Sequence, residues 1–225
     1  MRTVIRRPFR TLAAVALVGA PLAVLAAGPL HAGGPPTCFG NPATLASTNG
    51  PDIIIGTPGP DVVRGLDGAD VIKGKGGTDA LCGDRGSDTI NGGPGGDVIR
   101  GGPGGDTTNG DTGSDSVEGG LGADDVAGGP GGDTVFGGKG SDRLRGGPAG
   151  DSLLGGPGGD DMNGGRGNDL LLGQTGNDTM RGGTGDDILV GGPGTSDFGA
   201  GGPGPADVCF ASSTEIIHPS CEIIA

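Results

Sequence analysis

The 225-residue chain carries 57 glycines and 18 prolines with five Phe and no Trp or Tyr, which excludes an ordinary globular domain built on an aromatic core. Its 14 Lys and Arg stand against 27 Asp and Glu, a net charge of −13 that excludes nucleic acid and anionic membrane as natural partners and favours cations. So much Gly and Pro signals disorder in an aperiodic chain, so periodicity decides the class.

Residues 1–32 read as a signal peptide. Arg2, Arg6, Arg7 and Arg10 precede the apolar "TLAAVALVGAPLAVLAAG" of Thr11 to Gly28, and "LHA" offers a small residue for cleavage at Ala32. A retained anchor is the alternative, but the stretch barely reaches spanning length and Pro21 interrupts it. "RRPF" (Arg6 to Phe9) resembles a twin-arginine signal, and the general and twin-arginine export routes both stay open. Cleavage after Ala32 leaves 10 basic and 27 acidic residues, a net of −17, on a secreted chain with no membrane attachment. Cys38 is too far beyond the apolar run for a lipid anchor, and residues 33–46 form a short lead-in.

From Ser47 to Val190 the chain is sixteen uninterrupted nonapeptides. Aspartate holds the sixth place in each: Asp52, Asp61, Asp70, Asp79, Asp88, Asp97, Asp106, Asp115, Asp124, Asp133, Asp142, Asp151, Asp160, Asp169, Asp178 and Asp187. Position one is glycine except at Ser47, position four is glycine except at Ala149, and position eight is Ile, Val, Leu or Met except at Thr108. Glycine does not recur every third residue, which excludes collagen, and a flexible linker has no reason to hold an apolar residue in phase. The first six residues of a unit, such as "GGPGGD", are turn formers; the last three, such as "VIR" or "LLL", make one short strand. Position eight then points inward and positions seven and nine outward. Such units wind into an all-β solenoid, each strand pairing with its equivalent one coil away. Thr108 is the one inward hydroxyl in the series.

Units such as "GGPGGDVIR", "GGLGADDVA", "GGRGNDLLL" and "GGTGDDILV" resemble the RTX (hemolysin-type) calcium-binding nonapeptide, G-G-x-G-x-D-x-U-x. The resemblance implies a parallel β-roll, a two-sheet β-solenoid with two units per coil and Ca²⁺ held between neighbouring turns on each edge. The sixteen position-six aspartates and the backbone carbonyls of the glycine-rich turns would be the ligands, for on the order of 14 ions. Ca²⁺ takes six to eight oxygens, more than one aspartate per turn supplies, so turns must stack with carbonyls aimed inward; Mg²⁺, which keeps its waters, fits less well. The core is one apolar residue per unit, and rows of carboxylates repel one another, so the roll is expected to fold only on binding Ca²⁺. The lead "PTCFGNPATLAST" and the Cys-bearing tail also resemble small secreted repeat proteins of actinobacteria. An N-terminal signal departs from the many relatives that use an uncleaved C-terminal one.

After Val190 the aspartate spacing stretches to ten (Asp187, Asp197, Asp207), and residues 191–225 read as degenerate repeats and a C-terminal cap. Four cysteines in an exported chain point to two disulfides; proximity favours Cys38–Cys82, with Cys82 facing outward at position nine, and Cys209–Cys221 in the cap. Zinc is the rival, without a CxxC pair and with only His218 after Ala32. Asp186 and similar acids read as surface charge. No HExxH or GxSxG motif occurs, and 14 residues between Ala32 and Ser47 leave no room there for a catalytic domain, so the expectation is a non-enzyme. Two roles remain: a structural calcium-binding protein, or a calcium-dependent adhesion module for a cell-surface or matrix partner. The outward residues Arg64, Lys73, Asn91, Arg100, Glu118, Phe136 and Arg145 show no sustained aromatic or basic stripe.

Overall fold

A computed structural model describes residues 37–194, 196–204, 206–210, 216–217 and 222–223; the expected signal peptide, His218 and Cys221 lie outside the described residues. Each nonapeptide contributes one strand, and alternate units enter opposite sheets. One sheet has ten strands, from Ile53–Ile55 to Ile216–Ile217, and the other eleven, from Leu45–Ala46 to Glu222–Ile223. Pairing is parallel and joins residues eighteen apart through the array, as Val135 joins Leu153 and Leu153 joins Leu171. Two units therefore make one coil. Among the described residues there is no helix.

The period-two alternation of each triplet sets its packing. Position-eight side chains from both sheets meet in a single file from Val63 through Val117 and Leu153 to Leu189, nearly all fully buried, with Leu45 and Ile54 packed at the first end. Thr108 takes its inward place, pairs in register with Ile90 and Val126, and leaves its buried hydroxyl without a hydrogen-bond partner.

The roll is longer than sixteen units. Residues 191–200 and 201–210 are two further units of ten, and Phe198–Ala200 and Val208–Phe210 continue the two sheets. The extra residue of each falls between Gly194 or Gly204 and its aspartate, and the strand that follows keeps its parallel pairing. The register is thus preserved where the spacing alone reads as degenerate. Gly199 and Cys209 stand at the inward place, and Cys209 is buried in the core and disulfide-bonded. Its expected partner, Cys221, lies outside the described residues.

At the other end the lead-in folds back over the eleven-stranded sheet. Thr37–Cys38 pairs antiparallel with Asn41–Pro42, Cys38 is bonded to Cys82, and the Phe39 ring lies under the Arg100 guanidinium at 4.8 Å. Cys82 does face outward from its strand, and the lead-in buries it.

The two outer faces differ. On the ten-stranded sheet the position-nine column includes Lys73, Asn91, Asn109, Arg145, Asn163 and Arg181, and Arg145 and Arg181 pair with Asp125 and Asp161 at 2.6 Å. On the eleven-stranded sheet the same column runs Phe136, Leu154, Leu172, Val190 and Phe210 over five successive coils. The start of this apolar column lines an open groove of about 690 Å³ with Arg100, Pro103, Leu121 and Pro157.

Candidate metal centre

Both edges of the roll are rows of aspartates. Asp52, Asp70, Asp88 and every second aspartate after them share one edge; Asp61, Asp79, Asp97 and their successors share the other. From Asp70 on one edge and Asp79 on the other, each carboxylate is tied to its row by the same bond: the Asp70 amide donates to Asp88 Oδ1 at 2.8 Å, Asp88 to Asp106 at 2.8 Å, and Asp106 to Asp124 at 2.8 Å. The second edge repeats this from Asp61 through Asp97 to Asp115. The pattern continues past the nonapeptides, because Asp178 and Asp187 donate to Asp197 and Asp207.

The other oxygen, Oδ2, has no such partner. In fourteen of the sixteen aspartates picked out by spacing, Asp70 through Asp187, and in Asp197 and Asp207, Oδ2 is buried without a hydrogen bond. A buried carboxylate oxygen left bare is costly, since water has been stripped from it and nothing replaces the loss. Sixteen such oxygens on one chain call for a common ligand rather than sixteen separate accidents.

Position-one glycine shows where that ligand would sit. A methyl group at Gly119 would lie 2.7 Å from Asp124 Oδ2 and 2.7 Å from the carbonyl oxygen of Gly137, one coil on. At Gly137 the corresponding distances to Asp142 Oδ2 and the Gly155 carbonyl are both 2.6 Å. A bare carboxylate oxygen and a carbonyl oxygen thus converge on space that any side chain would fill. Glycine keeps it open. Position four is glycine for another reason: Gly122 has φ +139°, and a Cβ there would collide with the Gly104 carbonyl of the preceding coil. Ala149, the one exception, keeps a positive φ of 86°.

Electrostatics point the same way. Burial pushes the carboxyls of Asp106, Asp151 and Asp160 up to about 7, and those of Asp70, Asp97, Asp124, Asp133 and Asp169 up to about 6. The amide bonded to each Oδ1 opposes the rise without cancelling it, and neighbouring aspartates on the same edge add to it in most of these turns. A cation among these oxygens would reverse the balance. Among the described residues no three Asp, Glu, His or Cys side chains converge as a metal cluster, so an ion here would draw largely on backbone carbonyls. All-oxygen, carbonyl-rich surroundings suit calcium rather than zinc or copper.

Asp52 and Asp61 stand apart. Asp52 Oδ2 accepts the Thr48 amide at 2.9 Å and the Thr48 hydroxyl at 2.7 Å; Asp61 Oδ2 accepts the Thr57 amide at 2.6 Å and hydroxyl at 3.0 Å. A strict spacing of nine misses Asp197 and Asp207, whose signal is the "GGPG" that opens each of their turns. Asp186 is exposed at the surface, its amide donating to Asn168 Oδ1 at 3.0 Å.

The family model of the RTX calcium-binding nonapeptide repeat matches residues 47–81, 83–117, 100–135, 136–171 and 163–196. No curated protein matches the chain.

Proposed function

The chain belongs to the RTX calcium-binding nonapeptide repeat family, and on that premise we propose that it is a secreted structural protein whose roll assembles outside the cell when Ca²⁺ binds. The sixteen buried, unpartnered Oδ2 atoms carry this reading. The ligands are the Oδ2 atoms of Asp70 through Asp187 and of Asp197 and Asp207, with position-one carbonyls such as that of Gly137. Bound calcium supplies concentrated positive charge that neutralises each row of carboxylates and ties adjacent coils together. The chain's own part is to keep the oxygens dry, fix one carboxylate oxygen through the row of amides, and hold the cradle open with glycine. Export fits this division, because millimolar calcium is met outside cells and the apolar N-terminal segment has the form of a signal. The reading assigns the repeats a structural part rather than a catalytic one.

Titrating the metal-free protein with Ca²⁺ while following circular dichroism tests it: a cooperative gain of β signal by a few millimolar is expected, and none up to that range would reject it. An interaction module is the second reading, and the apolar column Phe136, Leu154, Leu172, Val190 and Phe210 favours it. Pull-down of cell-surface or matrix material with Ca²⁺ and with chelator, comparing the protein with its Leu154→Ser/Leu172→Ser form, separates the two.

A further inference from the structure

We infer that position two of each turn decides whether the turn takes an ion, and that Thr48 and Thr57 stand in for calcium at the start of the two edges. This rests on the calcium reading above. Thr48 belongs to the first turn of one edge and Thr57 to the first turn of the other. In both, the amide and the hydroxyl of one residue converge on Oδ2 of the aspartate four places later. These two are the aspartates of the array absent from the series of bare Oδ2 atoms.

The backbone explains the choice. Where position two is Leu66, Lys75, Asp84, Asp111 or Gln174 it adopts φ of 70° to 79°, and where it is glycine, as at Gly102 or Gly120, φ is also positive. Thr48 and Thr57 keep out of the left-handed region. A β-branched side chain resists positive φ, so threonine sets the other turn, the one in which its own amide faces the carboxylate. Its hydroxyl then completes the pair of donors. In the first turn Ser47 closes the site a second time: it replaces the position-one glycine, and its hydroxyl donates to the Gly65 carbonyl, filling the space that is open elsewhere. In the second turn Gly56 leaves that space open, 2.8 Å from Asp61 Oδ2 and 2.5 Å from the Gly74 carbonyl for a methyl group, so Thr57 alone stands where an ion would.

The functional consequence is an end that needs no metal. The ion-free turns fall in the coil that Leu45–Ala46 begins, and the disulfide between Cys38 and Cys82 ties the lead-in across it to the strand Ala80–Cys82. One finished coil thus offers its edges to the calcium-dependent coils that follow.

Counting bound Ca²⁺ by equilibrium dialysis, with circular dichroism to confirm folding, tests this on the whole protein. Thr57→Gly should bind one more ion than the wild type. Thr48→Gly should add none, because Ser47 still fills its cradle. Lys75→Thr, four residues before Asp79, should bind one fewer. Unchanged counts in folded Thr57→Gly and Lys75→Thr would overturn the inference while leaving the calcium reading intact; if Thr57→Gly does not fold, the Lys75→Thr count decides alone. A wild type that takes up no calcium would overturn both.

Discussion

The first turn of each edge and the turns behind it use the same aspartate in two ways. In the first, a threonine of the same turn supplies both donors and the carboxylate is finished within nine residues. In the interior, Oδ1 takes an amide from the preceding coil and Oδ2 stays bare, so the turn is incomplete until something from outside arrives. The difference teaches that the repeat is not intrinsically a metal site. It is a carboxylate holder whose second oxygen goes to whichever donor the turn admits.

Chelation should break this comparison most widely. Removing calcium is expected to abolish most of the β signal, with amide exchange becoming fast across the calcium-dependent coils while the first coil retains the most protection. Gly122→Ala comes next, because its φ of +139° is a region that only glycine occupies without strain and the added methyl meets the Gly104 carbonyl. A cost of at least ~1–3 kcal/mol is expected, read as a lower melting temperature at fixed calcium, whereas Ala149→Gly should change little.

Acid should narrow the contrast. Burial raises the interior carboxyls in the folded chain, pushing that of Asp70 up to about 6 and those of Asp106 and Asp160 up to about 7, against an ordinary value of 3.8. Between those values the folded chain holds more protons than the unfolded one. The metal-free roll is therefore most stable below about pH 4 and loses stability as pH rises towards 7. Dichroism in chelator should show β signal at pH 4.5 that fades by pH 7.5, while the calcium midpoint moves to higher concentration as pH falls.

Smaller effects sharpen it. Thr108→Val removes a buried hydroxyl without a partner and should stabilise the calcium-loaded roll by about 1–3 kcal/mol, read from its melting temperature. Arg145→Ala breaks an exposed pair with Asp125 on the outer face of the ten-stranded sheet, and about 0–1 kcal/mol is expected with no change in the calcium midpoint.

Phase made much of this legible in the residues. An aspartate every nine places and an apolar residue two places later are enough to give two sheets, two edges and a single-file core, because strand alternation and turn chemistry leave little choice. The coils at 191–210 were hidden for a physical reason: the inserted residue sits in the loop, which tolerates it, so counting breaks where pairing does not. Gly199 at an inward place removed the apolar cue as well. The column from Phe136 to Phe210 is hidden in the linear sequence because alternate units face opposite ways, so consecutive position-nine residues mix the two sheets. That Thr57 completes Asp61 needed coordinates, because threonine at position two looks like an ordinary turn residue until its amide is seen pointing at the carboxylate.

The eighteen-residue coil gives the gene an arithmetic of its own. Loss or duplication of two units leaves every later residue on its own face, so such changes shorten or lengthen the protein without altering its surfaces. Loss of one unit is different. The core would close again, since both sheets use position eight alike, but every downstream unit would change sides and the apolar column would continue the charged face. Even numbers of repeats are thus edits of length, and odd numbers are edits of surface, made in a single step without a single substitution.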